Sequence, residues 1–208
     1  MITIFTPFAD RLNLNGDQGN VLVLLEYLKA CGVEAQQVQN PEQLGANPPH
    51  FVLLGHGSKA SMASIKQQLA QLKPQLQQWQ QTVPGLAVGS SVLWLVENGL
   101  SAQRLNVGPQ ESEFVTTSFE GSAVLGYRNT DSGLANLSQN GLWLESMLHG
   151  PILAKNPVLL RAIAATILKA ANLDASGFQE TGASWLADIA KIGEQIWKVE
   201  SQEEMPAI

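Results

Sequence analysis

Phe51-Val52-Leu53-Leu54-Gly55-His56-Gly57-Ser58 is the stretch that decides how this chain folds. Phe51 to Leu54 is apolar at every position, as a strand covered on both faces requires. Gly55-His56-Gly57-Ser58 then turns, and a long Gln-rich helical pattern runs from Ser61 to Gln81 with Leu72, Leu76 and Trp79 at helical spacing. Those apolar positions mark a solvated helix rather than a disordered tract, and Pro74 predicts a kink or a split within it. Strand, glycine turn and helix make one βα unit, and the same pattern recurs on either side. Upstream, Ile2 to Phe5 reads as a strand. Asn20 to Cys31 reads as a helix with Val21, Leu24, Leu25 and Leu28 on one face and Gly32 as its stop. Val33 to Val38 reads as a second strand, and Pro41 to Pro49 as a loop. Downstream, Pro84-Gly85 precedes a short strand, Leu86 to Val88, and after Gly89-Ser90-Ser91 a helix starts over Val92 to Val96.

The second half changes character. Glu113 to Ser118 and Ala123 to Arg128 are β-like runs separated by Glu120-Gly121, which predicts a hairpin. Gly141 to Leu144 is a further short strand. Pro157 to Ala171 is a helix with Asn156 as its expected N-cap and Pro157 at its first position. Ser184 to Val199 is the last helix, its Trp185 and Trp197 either part of a partner-docking surface or, more simply, packed on the body of the domain, and 201–208 is expected to fray. The expectation is an α/β sandwich of flavodoxin-like kind: a mostly parallel central sheet, helices on both faces, and antiparallel strands in the second half. No repeat or linker divides the chain, so 1–200 is read as a single domain.

Composition narrows the function. Of the 208 residues 45% are hydrophobic, enough for a sizeable core. Only 14% are charged, so Gln and Asn supply much of the polar surface. The net charge of -6 and the lack of any Lys/Arg run argue against nucleic acid or an anionic membrane as partner. The N-terminus does not have the makeup of a signal peptide and no apolar run reaches membrane-spanning length, which predicts a cytoplasmic protein. The single cysteine, Cys31, excludes an internal disulfide and is read as a packing residue at the end of the first helix. No metal or cofactor motif is present in the sequence.

Four segments in order resemble one family. They are Asn13-Leu14-Asn15-Gly16-Asp17-Gln18-Gly19-Asn20; Leu53-Leu54-Gly55-His56-Gly57-Ser58; Leu86-Ala87-Val88-Gly89-Ser90-Ser91; and Leu148-His149-Gly150-Pro151-Ile152-Leu153 with Asn156-Pro157. Gly126-Tyr127-Arg128-Asn129 adds a fifth, where the family reads Gly-Phe-Glu-Asn. The pattern resembles the class I glutamine amidotransferases of the cobyric acid synthase (CobB/CobQ) type, and most of all the glutaminase subunit of lipid II isoglutaminyl synthase. The resemblance implies a class I glutamine amidotransferase-like fold, a glutamine-like small-molecule ligand, no cofactor, and a Mur-ligase-like synthetase partner in cell-wall precursor amidation.

Glutamine hydrolysis needs a nucleophile on a sharp strand-to-helix turn, a His to shuttle protons and backbone N–H groups for the oxyanion. The resemblance puts the nucleophilic cysteine at position 89, where this chain has Gly89, so attack from that position is impossible. Ser91 and Ser90 also depart from the family's Gly-Gly. Ser90 carries the nearest hydroxyl, one residue late. His149 stands at the place of the catalytic base. Gly55, His56 and Gly57, with Ser90, correspond to the oxyanion-binding region, although glycines also suit any tight βα turn. Asp17 is either an orienter of the His or a turn and N-cap residue. Arg128 and Asn129 fall in the substrate-binding segment, with a cation where the family has a glutamate. The expectation is a non-catalytic subunit or binding protein; the alternative is an enzyme using another nucleophile with His149 as base. What fills the space between Gly89 and His149 discriminates between a cleft and a plugged site, with Trp94 a candidate plug.

Overall fold

The structure is a computed structural model and describes residues 1–173, 182–201 and 205. The expected tail at 201–208 lies outside the described residues apart from Ser201 and Met205. Strands β1 (Ile2–Phe5), β2 (Ala35–Val38), β3 (Phe51–Leu54), β4 (Gly85–Val88), β7 (Leu137–Asn140) and β8 (Trp143–Ser146) form one sheet in the order β2-β1-β3-β4-β8-β7. All neighbours pair in parallel except β7, which is antiparallel to β8. Helices α1 (Gln18–Ala30), α2 (Lys59–Thr82), α3 (Ser90–Glu97), α4 (Ile152–Lys155), α5 (Pro157–Ala170) and α6 (Ala183–Glu200) complete this layer structure. No helix among the described residues is long and apolar enough to cross a membrane.

Alternation along the strands builds two cores. Ile2, Ile4, Phe51, Leu53, Leu86, Val88 and Leu144 point to the face covered by α1, α4 and α5. Phe5, Val52, Leu54, Ala87 and Trp143 point to the opposite face, where Leu69, Leu72, Leu76 and Trp79 of α2 and Val92, Trp94 and Leu95 of α3 cover them. Successive strand side chains face opposite ways, so a strand apolar at every position must be covered twice. Cys31 is buried in the first core, as a packing residue. Trp197 is buried and its indole N–H donates to the carbonyl of Lys155 (3.0 Å), while Trp185 packs on Tyr27.

The second sheet is antiparallel, with β5 (Val107–Phe119), β6 (Ser122–Ser132) and β9 (Leu148–His149) in the order β5-β6-β9. It confirms the hairpin about Glu120-Gly121, with longer arms than the apolar runs suggested, because polar residues extend the ladder to Val107↔Ser132. Three further expectations are corrected. The helix is not split at Pro74: α2 runs through it for 24 residues, with Leu69, Leu72, Leu76 and Trp79 docked on the sheet on both sides. The strand expected at Gly141 to Leu144 is Trp143–Ser146, with Gly141 and Leu142 forming the turn from β7. Asn156 does not cap α5 with its side chain. Its amide instead accepts from Leu125 N (2.8 Å) and donates to the carbonyls of Leu125 and Ile152 (2.8 and 2.7 Å), tying the start of α5 to β6.

β7 has no apolar alternation. Beside it lies Glu145, fully buried, whose carboxylate accepts from Ser101 (2.7 Å), Gln103 (3.0 Å), Ser138 (3.3 Å) and Asn140 (3.0 Å). A buried carboxylate is tolerated when donors surround it, and this one binds the loop after α3 to β7.

Candidate functional site

The ends of β3, β4 and β9 bring together the segments that share motifs. β8 lies beside β4, with Val88 opposite Ser146, and Gly89 N donates to the Ser146 carbonyl at 2.8 Å. The chain then leaves β8 and joins β6 as β9, with Tyr127 opposite His149. Three residues after its register with β4, the chain therefore delivers the His149 ring next to Gly89.

Gly89 stands at φ +54°, ψ -112° at the abrupt passage from β4 to α3. An L-residue reaches this conformation only with strain. A Cβ built there would meet Nδ1 of His56 at less than any van der Waals separation, Cε1 of His149 at 2.9 Å and Cγ of His56 at 3.1 Å. The two imidazoles pack edge to face, centroids 4.5 Å apart. The space a side chain at 89 would need is thus filled by two rings. The plug is His56; Trp94 is buried in the core on the α2 side.

The hydrogen bonds around the turn close it further. Ser90 N donates to Nδ1 of His56 (3.0 Å), His56 N donates to Oδ2 of Asp17 (3.1 Å), and Gly57 N donates to Oγ of Ser90 (2.8 Å). Of the backbone N–H groups that the resemblance offers to an oxyanion in this turn, those of His56, Gly57 and Ser90 already have internal acceptors. The Ser90 hydroxyl is engaged with the Gly57 amide, and Ser91 Oγ donates to the Gly55 carbonyl at 2.6 Å. Gly55 itself is glycine because the Leu12 carbonyl approaches where its Cβ would be.

The bonding makes the His56 ring neutral and fixes one proton of the His149 ring. The Ser90 N–H needs a lone pair on Nδ1 of His56. Nε2 of His149 lies 3.2 Å from the Asn129 carbonyl, which can only accept, so Nε2 carries the proton. Nδ1 of His149 is buried and has no partner. Burial lowers the His56 pKa from 6.5 to about 4, and His149 pushes it the same way. Burial lowers that of His149 too, with the Asn129 carbonyl opposing and the charge of Arg128 assisting. Asp17 is fully buried at the start of α1, makes no side-chain capping bond there, and has Oδ1 without a partner. Burial raises its pKa from 3.8 to about 6, with backbone N–H donors, that of His56 first, opposing. It thus holds the glycine turn through His56 N and is neither a cap nor bonded to His149.

These shifts give a sign to the pH dependence. Between pH 4 and 6.5 the unfolded His56 binds a proton that the folded one rejects, so stability rises with pH, and His149 acts in the same direction. Between pH 3.8 and 6 the folded Asp17 holds a proton that the unfolded one releases, so stability falls with pH. Asp17→Asn removes only the opposing contribution. Urea midpoints between pH 4 and 6.5 are expected to climb more steeply in Asp17→Asn than in the parent; a shallower climb would show Asp17 to be charged throughout.

Arg128 and Asn129, expected in a substrate-binding segment, have partners within the protein. Arg128 is buried, pairs with Glu111 through Nε, and donates to the carbonyls of Leu134 (3.1 Å) and Ser132 (2.8 Å) and to Oδ1 of Asn136 (2.8 Å). Its guanidinium is spent inside the hairpin. The Asn129 side chain is exposed and takes a bond from Gln110 (3.1 Å), so only its carbonyl reaches the site. Sequence reasoning missed Asn20, whose amide accepts from Leu153 N (2.9 Å) and donates to the carbonyls of Asp17 (3.1 Å) and Gly150 (3.4 Å). Asn20 ties the Asp17 loop to the segment that carries His149.

No family model and no curated protein matches the chain. Among solved structures it is similar to PurLQS from Thermotoga maritima, with 11% identity, TM-score 0.44, and 81% of this chain and 96% of that chain covered. It is similar to a glutamine amidotransferase from Thermotoga maritima, with 9% identity, TM-score 0.41 and coverage of 97% and 99%. It is also similar to DJ-1beta from Drosophila melanogaster, with 13% identity, TM-score 0.44 and coverage of 89% and 97%.

Proposed function

We propose that the chain is a non-catalytic glutamine amidotransferase-like subunit or binding protein of the cobyric acid synthase type, related to cell-wall precursor amidation. One observation carries this reading: at the β4–α3 turn Gly89 offers no side chain, and the His56 and His149 rings occupy the volume one would need. Covalent attack requires a sulfur or oxygen at that turn, and the oxyanion donors must be free at the moment of attack. Here the Ser90, His56 and Gly57 amides have internal acceptors. The reading keeps His149 as a vestigial base in a cytoplasmic protein. Its partner would be a Mur-ligase-like synthetase, retained for docking rather than for ammonia supply.

The alternative, Ser90 attacking with His149 as base, is disfavoured by the Ser90 hydroxyl, which already accepts from Gly57 N. Ammonia release from glutamine by the purified protein, alone and mixed with a Mur-ligase-like synthetase, is the test. The expected result is release no faster than the protein-free blank in both mixtures. Release that disappears in His149→Ala would sink the proposal, and release that also disappears in Ser90→Ala would establish the alternative.

A further inference from the structure

We infer that a groove at the carboxyl ends of β1 and β2, beside α2, binds a neutral, hydroxyl-rich ligand of saccharide type. Its origin is topological. The connection from β2 to β3 crosses β1 on the α2 face and carries only a 3-10 turn, Pro41–Leu44, in place of a covering helix. The place of the missing helix remains as a groove of about 500 Å³, within the range of small-molecule sites. It lies outside the carboxyl ends of parallel strands and beside β1, where the strand order reverses, the position at which doubly wound sheets hold ligands.

A second observation points to the same place. Phe8 lines the groove with φ +58°, a left-handed conformation that a bulky side chain rarely adopts. Its carbonyl accepts from Arg11 N and Leu12 N, both at 2.8 Å, so a tight turn holds the residue there. Such strain persists where surrounding structure over-determines it, and it gathers at ligand sites. The ring is half-buried: Phe8 packs on the core beside α2 and also lines the groove.

The lining names the ligand class. Gln39, Gln71 and Gln75 contribute carboxamides, each both donor and acceptor, and Asp10 and Glu42 contribute carboxylates, Asp10 also pairing with Arg11 at 3.1 Å. No Lys, Arg or His lines the groove, which disfavours phosphates and carboxylates as ligands. A polyamine would use the acceptors and leave the amide N–H groups without matches. Hydroxyl groups donate and accept, as the carboxamides do, and the C–H face of a sugar ring packs on Phe8. None of the lining residues belongs to the Gly89 turn, so the glutaminase result bears on this inference neither way.

The test is saturation-transfer NMR on the intact protein with maltose, glucose and N-acetylglucosamine, and with spermidine and inorganic phosphate as controls. At least one sugar is expected to show ring-proton transfer. In Gln71→Ala/Gln75→Ala its affinity is expected to fall by about tenfold or more, because two hydroxyl partners are lost. Both positions are exposed on α2 and alanine favours helix, so the variant keeps its fold. Phe8→Gly removes the ring and the backbone strain together and is expected to lose sugar transfer, while Phe8→Leu, which keeps apolar packing on the core, loses it with the fold intact. No transfer from any of the three sugars, unchanged affinity in the double variant, or tighter binding of spermidine or phosphate would each overturn the inference.

Discussion

Gly89→Ala is expected to destabilise the fold by about 3–5 kcal/mol, the sum of backbone strain and overpacking. Two independent costs meet at this residue. The first is conformational: at φ +54° and ψ -112° a Cβ is strained whatever surrounds it. The second is steric, since the Cβ would press on Nδ1 of His56 and on the ring of His149. His56 cannot retreat freely, because its Nδ1 holds Ser90 N at 3.0 Å and its own N–H holds Asp17 at 3.1 Å. The two costs separate in a double-mutant cycle. In a His56→Ala background the clash with the His56 ring vanishes, while the backbone part and the His149 contact remain, so the penalty of Gly89→Ala should shrink by about 1–3 kcal/mol. Urea denaturation of the four proteins at neutral pH reads this directly. Equal penalties in both backgrounds would mean that the rings are not what fills the turn, and the reading of a plugged site would go with them.

Much of this was legible in the sequence, for a physical reason. Phe51–Leu54 and Gly85–Val88 are apolar without a break, and only burial on both faces explains that, so the parallel sheet followed. Gly89 was legible as the residue of a sharp strand-to-helix turn, because Pro84-Gly85 and Gly89-Ser90-Ser91 bound the short apolar strand. The filling of the space beside it was not. His56 sits 33 residues earlier, and the meeting of its ring with Gly89 depends on β3 and β4 being neighbours with Leu54 opposite Ala87. A His between two glycines, together with a glycine where a nucleophile is expected, was the available signal, and it is visible only as a pair. Asn20 and Asn156 were read as motif or cap residues; their partners Gly150, Leu153 and Leu125 are distant in sequence and cannot be inferred from local spacing. β7 was invisible because its anchoring comes from the Glu145 hydrogen-bond cluster and not from apolar alternation.

Arg128→Ala is expected to cost about 2–4 kcal/mol, the desolvation penalty of buried acceptors left without a donor. The guanidinium is the single donor group that joins Glu111 of β5 to the carbonyls of Ser132 and Leu134 and to Asn136. Its removal leaves buried carbonyl oxygens without donors, whereas Glu111, about a third exposed, can return to water. Arg128→Lys restores the charge but not the planar fork that reaches four acceptors at once, so it should recover only a minor part of the loss. The pair of variants also separates structure from electrostatics at His149. The Arg128 charge is one of the causes that lower the His149 pKa. NMR titration of the His149 imidazole should therefore move upward, toward 6.5, in Arg128→Ala and stay in place in Arg128→Lys. Wild-type stability in Arg128→Ala would put the guanidinium at the surface and free for a ligand. A His149 titration that shifts equally in both variants would mean that Arg128 acts on the site by holding β6 in place and not through its charge.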